Sequence, residues 1–159
     1  MGKIVFSRVD FRLIHGQVVT RWMKLYPVKT ILIVDDFLGN DPFMADIYEM
    51  AAPPGTQVII VDAAHAKDKI AEITGDIFLL SKNIETMLFL AEQNVEFSAL
   101  DIGGAPSDGG KTLVTNAVFL NQTDIELLEK IEARGVQVVL QATPEDTPLT
   151  VDKAKLKVK

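Results

Sequence analysis

Thr30-Ile31-Leu32-Ile33-Val34 is a continuous apolar run closed by the pair Asp35-Asp36. A run of this length without polar alternation predicts a strand buried on both faces, the condition of a parallel sheet covered by helices. The next residues support that reading. Asp41-Pro42 predicts a helix start, with Asp as the cap and proline in the first turn. Met44, Ile47, Tyr48 and Ala51 would give that helix its apolar face, and Pro53-Pro54-Gly55 stops it.

The same alternation continues in both directions along the chain. Strands are predicted over 3–9, 57–61, 76–80, 97–102, 117–120 and 136–141. Helical periodicity marks 17–25, 63–73, 84–93 and 121–134, the last ended by Gly135. Ile125, Leu127, Leu128 and Ile131 form its core-facing stripe. The end, 153–159, alternates lysine with small or apolar residues and reads as an exposed edge strand or a solvated tail. Regular strand–helix alternation predicts an α/β fold, a single domain over 1–159 with a mainly parallel sheet and helices on both faces. Ligands of such sheets gather outside the carboxyl ends of the strands, which selects 10–16, 35–41, 62–65, 81–83 and 102–112.

Composition narrows the function. The 159 residues are 48% hydrophobic and 24% charged, with net charge −6. That balance argues against nucleic-acid binding, which needs a basic face to displace counterions. With no cysteine, thiol nucleophiles and zinc–thiolate sites are excluded. The opening residues show no signal-peptide pattern and no run reaches the ~20 apolar residues of a bilayer span, so a cytoplasmic protein is expected.

The richest segment is Arg12-Leu13-Ile14-His15-Gly16-Gln17-Val18, preceded by Arg8 and Asp10. It sets an imidazole between a strand and a helix start, where unpaired N–H groups and the helix dipole favour a phosphate. His15 is read as a phosphoryl acceptor. Arg12 and Arg8 would neutralise phosphoryl oxygens, and Asp10 would fix the imidazole tautomer. Gly16, Gln17 and Val18 would supply backbone donors. No metal and no cofactor is called for.

Beyond these residues, the chain resembles the IIB subunit of the mannose-fructose-sorbose family of the bacterial phosphoenolpyruvate-dependent sugar phosphotransferase system. The resemblance rests on Arg8-Val9-Asp10, on Arg12 to Val18 and on Trp22. It extends over Ile33-Val-Asp-Asp36, Asp41-Pro42-Phe43, Met50-Ala-Ala-Pro53, Ile102-Gly-Gly104 and Ala117-Val-Phe-Leu120. It implies that His15, through Nδ1, takes phosphate from a IIA phosphohistidine and delivers it to a sugar entering through membrane subunits IIC and IID. It implies a cytoplasmic protein peripherally associated with that permease. The chain carries no IIA segment, so a separate donor is expected. Phe11, Asp101 and Ala105 depart from the residues common at these positions, which bears on partner and sugar recognition.

Other constellations have plainer readings. His65, the second histidine, sits at a predicted helix start, as a surface residue would. Asp35-Asp36, and Asp62 after the third apolar run, invite comparison with aspartate-phosphorylated receivers, but Asp35-Asp36 suits a turn and a cap, and the fifth strand ends Asp-Ile-Gly-Gly without the lysine of a receiver. Residues 105–112 satisfy a relaxed phosphate-loop pattern, yet an extended segment follows where a helix would be required. Lys111 there is a candidate for drawing in a partner, and Gly103 and Gly104 would let the loop pass close to His15. A regulatory relative that docks without accepting phosphate, and a receiver-like aspartate switch, stand as the alternatives.

Overall fold

The computed structural model describes residues 2–159; Met1, the first residue of the predicted domain, lies outside them. The elements run in the order β1 (Gly2–Asp10), α1 (Val18–Leu25), β2 (Thr30–Val34), α2 (Asp36–Gly39), α3 (Pro42–Met50), β3 (Gln57–Val61), α4 (Ala63–Glu72) and β4 (Gly75–Ser81). They continue as α5 (Ile84–Glu92), β5 (Ala99–Gly104), β6 (Thr112–Thr115), β7 (Val118–Leu120), α6 (Gln122–Glu132), β8 (Gln137–Leu140), β9 (Leu149–Thr150) and α7 (Val151–Lys157).

Seven strands form one sheet in the order β3-β2-β4-β1-β5-β8-β9. All pairings are parallel except the last, where β9 runs antiparallel to β8. Every residue of β2 is buried, as its sequence predicts. Its side chains divide by the two-residue strand period. Ile31 and Ile33 join Phe78 and Leu80 on one face, under α1, α2 and α3. Leu32 and Val34 join Ile77 and Leu79 on the other, under α4, α5, α6 and α7. The α/β sheet with helices on both faces is thus present.

The sequence reading needs correction in three places. The predicted strand at 117–120 is β7, which pairs with β6 in a separate antiparallel ribbon rather than in the main sheet. The 153–159 segment is mostly the helix α7, not an edge strand or tail. Thr150 caps it, and Val151 and Ala154, one helical turn apart, are buried. In α3, Met44 and Tyr48 pack inward as expected, but Ile47 and Ala51 are exposed.

The strand order creates one switch point. From β1 the chain crosses toward β2 on one side, whereas from β5 it proceeds toward β8 on the other. The crevice at the carboxyl ends of β1 and β5 is where this architecture places ligands. Among the described residues, no helix is long and apolar enough to cross a membrane.

Candidate functional site

The loop that leaves β1 fills this crevice. Its pairing with β5 is irregular between Val9 and Asp10, so Asp10 lies opposite Gly104. A turn follows in which Leu13 N–H donates to the Asp10 carbonyl at 2.9 Å. Leu13 has φ 56° and is almost fully buried. The left-handed backbone costs a non-glycine residue roughly 1–2 kcal/mol, and the buried side chain holds it there. Gly16 also has positive φ, at 50°, just before α1.

Asp10 is the hub. One of its carboxylate oxygens accepts from Arg12 N–H and Arg12 Nε, each at 3.0 Å. The other accepts from Arg12 Nη2 and Arg8 Nη2, each at 3.2 Å. Arg12 is thereby gripped through two guanidinium nitrogens while remaining 36% exposed.

Arg8 differs from its sequence reading. Its side chain is 1% exposed and bonds Asp101, Asp10 and the carbonyls of Gln141 and Ala142. It also lies over the Trp22 ring, 5.4 Å from the centroid. A guanidinium so enclosed braces Asp10 and is not presented to a phosphoryl group. Trp22 Nε1 donates to the same Ala142 carbonyl at 3.3 Å, tying α1 to the segment after β8.

The two glycines after Ile102 make this arrangement possible. A β-carbon at Gly103 would overlap the Arg8 guanidinium, and one at Gly104 would stand 2.5 Å from an Asp10 carboxylate oxygen. They admit the buried arginine and its carboxylates, where the sequence reading had them admit the loop to His15. Asp101 is buried with one carboxylate oxygen unpartnered among the described residues. Burial pushes its carboxyl up to about 7 despite the opposing pull of Arg8.

His15 stands beside this cluster, one quarter exposed. Its Nδ1 lies 3.2 Å from the Leu13 carbonyl and 4.0 Å from Asp10. Asp10 is therefore beyond hydrogen-bond range, and the Leu13 carbonyl takes the orienting place expected of it. A carbonyl only accepts, so this contact needs the proton on Nδ1. Nε2 is buried and without a partner among the described residues. Gly16 and the cap residue Gln17 precede α1, which Val18 opens. Arg21 N–H to the Gln17 carbonyl, at 3.0 Å, is the first helical bond, and Gln17 supplies no side-chain cap. The preceding N–H groups have no helical acceptor, as at any uncapped helix start.

The remaining candidates lie in other roles. Asp35 caps α2, Asp36 accepts from Ala63 N–H, and Asp62 caps α4. His65 is exposed and pairs with Asp62 at 2.6 Å, which holds the Asp62 carboxyl below its usual range. Lys111 pairs with Asp124 at 3.2 Å, within the fold. The 105–112 loop leads into β6, not into a helix.

Residues 4–159 match the family model described as "PTS system sorbose subfamily IIB component". The chain belongs to this family. Relatives cover the same span. The sorbose-specific EIIB component of Klebsiella pneumoniae is 32% identical over 154 residues, 94% of this chain and 93% of that protein. The mannose-specific EIIAB component of Escherichia coli is 33% identical over 153 residues. That alignment covers 92% of this chain but 46% of the relative, so the chain spans about half the length of that protein. Among solved structures, manxB from Thermoanaerobacter tengcongensis superposes with a TM-score of 0.92 at 36% identity, covering 99% of this chain and 97% of that one. The IIBSor domain of the Klebsiella pneumoniae sorbose permease gives a TM-score of 0.89 at 32% identity, with 97% of each chain covered.

Proposed function

We propose that this IIB chain, acting as a single cytoplasmic domain, accepts a phosphoryl group on His15 from a IIA phosphohistidine and passes it to a sugar held by membrane subunits IIC and IID. The observation that carries this reading is the position of His15 at the β1/β5 switch point, beside a clamped Arg12 and an uncapped helix start.

In the first transfer, the donor N–P bond breaks as a bond to His15 forms, and the donor nitrogen keeps the electron pair. In the second, the sugar hydroxyl oxygen bonds phosphorus as the His15 N–P bond breaks, the His15 nitrogen keeps the electron pair, and the hydroxyl proton passes to solvent. The protein contributes positioning and charge, as a loose phosphoryl transition state requires. Arg12 serves the phosphoryl oxygens directly, with backbone N–H groups of Gly16, Gln17 and Val18 as added donors. Arg8 acts one step back by holding Asp10, which holds Arg12. Reaction at Nδ1, the nitrogen implied by the family resemblance, requires release of the 3.2 Å contact with the Leu13 carbonyl and transfer of the proton to Nε2. The caps occupied by Asp35 and Asp62 speak against an aspartate switch.

The test is phosphate transfer from phosphoenolpyruvate through enzyme I, HPr and a mannose-family IIA, with site mapping under non-acidic conditions. His15→Ala is expected to abolish labelling with the fold intact. Labelling that persists in this variant would defeat the assignment.

A further inference from the structure

Helix α3 is apolar on two sides, and only one of them packs. Met44 and Tyr48 seat against the sheet. Phe43, Ile47 and Met50 form a second stripe at helical spacing, 45% to 86% exposed. Phe37, on α2 packed against α3, is 67% exposed. An exposed apolar patch with a polar rim marks an interaction surface.

The segment that carries the stripe has one sign of charge. Asp36, Asp41, Asp46 and Glu49 interleave with these side chains, and no lysine or arginine occurs between Lys29 and Lys67. Lys69 shares a groove with Glu49, but its ammonium is paired with Glu72 at 3.1 Å. This surface is complementary to an occupant that is apolar and basic. Cytoplasmic loops of membrane proteins carry an excess of lysine and arginine, which is this complement. A bare inner leaflet is anionic and would be repelled.

We propose that the α2–α3 stripe docks the cytoplasmic face of the membrane subunit that receives the phosphoryl group. This rests on the transfer role proposed above. The stripe begins at the carboxyl edge, where Phe37 and Phe43 follow β2. Only β4 separates β2 from β1, a distance of about 10 Å across the sheet. A partner seated on the stripe reaches the crevice that holds His15.

Two double variants test this without touching the packed side of α3: Ile47→Lys with Met50→Lys, and Asp46→Lys with Glu49→Lys. Each full-length protein is assayed for labelling by IIA in solution. Each is also assayed for co-sedimentation and sugar phosphorylation with inverted vesicles carrying IIC and IID, and with protein-free anionic vesicles. Labelling by IIA is expected to stay within about twofold, and binding and sugar phosphorylation to fall by about tenfold or more, the loss of an interface anchor. Unchanged binding in both variants would overturn the proposal. So would equal binding to protein-free vesicles, or loss of IIA labelling with vesicle binding retained, which assigns the surface to the donor. A wild-type chain that takes no phosphate yet binds subunit vesicles through the stripe would sink the transfer role and leave the docking surface standing.

Discussion

Gly103 lies flat against the Arg8 guanidinium, with no room for a β-carbon between them. The glycine fixes how deeply the arginine sits, and the arginine joins two buried carboxylates, Asp10 and Asp101. Gly103→Ala is expected to cost about 1–3 kcal/mol through overpacking. It should also slow His15 phosphorylation by displacing the brace behind Arg12. Urea unfolding and a labelling time course check both. A variant of wild-type stability would show that Arg8 moves aside freely.

Arg8 itself gives a larger effect. Its removal leaves Asp101 buried without its cation and Asp10 with Arg12 alone, which costs about 3–5 kcal/mol where a buried pair is broken. Arg8→Met is expected to lower the urea midpoint by a corresponding amount. Combining it with Asp101→Asn should recover part of the loss, because the carboxylate left without a cation is then gone.

Asp101 predicts a pH dependence. Burial pushes its carboxyl from an ordinary value near 3.8 up to about 7, with Asp10 adding to the rise and Arg8 opposing it. Between those values the folded protein binds more protons than the unfolded chain. The Asp101 contribution to stability therefore falls as pH rises from about 4 through about 7, and levels off above. Wild type minus Asp101→Asn, compared in urea at about pH 5 and pH 8, isolates this slope from other groups. An unchanged difference at the two pH values would refute it.

Leu13 reverses a common order of substitution. Glycine usually destabilises relative to alanine, but at φ 56° it relieves strain that alanine retains. Both variants lose the buried side chain. Leu13→Gly is expected to be more stable than Leu13→Ala by about 1 kcal/mol. Thermal melts of the pair decide the point.

Arg12 is expected to matter for rate, not for folding. Arg12→Lys removes the two-nitrogen grip on Asp10 and the planar fork offered to phosphoryl oxygens. Labelling of His15 should slow on the order of 10²-fold, the scale of losing one transition-state donor. Stability should change by less than in Arg8→Met, because lysine keeps a cation beside Asp10 and Arg8 still braces it. Rapid-quench labelling and urea unfolding separate the two.

Much of this was legible in local pattern. The β2 run, the Asp35 cap of α2 and the Asp41-Pro42 start of α3 each depend on neighbours within a few residues, which a sequence displays directly. The inward burial of Arg8 does not. Its partners Asp101, Gln141 and Ala142 come from β5 and from the end of β8, and only folding brings them together. The glycine pair after Ile102 was the available signal, since side chains were absent where two strands meet. The α7 segment misled because alternating lysines mimic strand spacing, while its buried contacts through Val151 and Ala154 are tertiary. Ile47 misled for the opposite reason: helical periodicity marks an apolar face without saying what covers it.

Trp22 is the one tryptophan in the chain, and it rests on the Arg8 guanidinium that braces the crevice. The molecule thus carries its own optical probe. Emission on excitation near 295 nm comes from a single indole, hydrogen-bonded to Ala142 and stacked on Phe6. A shift of Arg12 or Asp10 that moves Arg8 is expected to alter the field at that ring. If His15 is charged as proposed, a change in this emission is the expected readout, with no label attached.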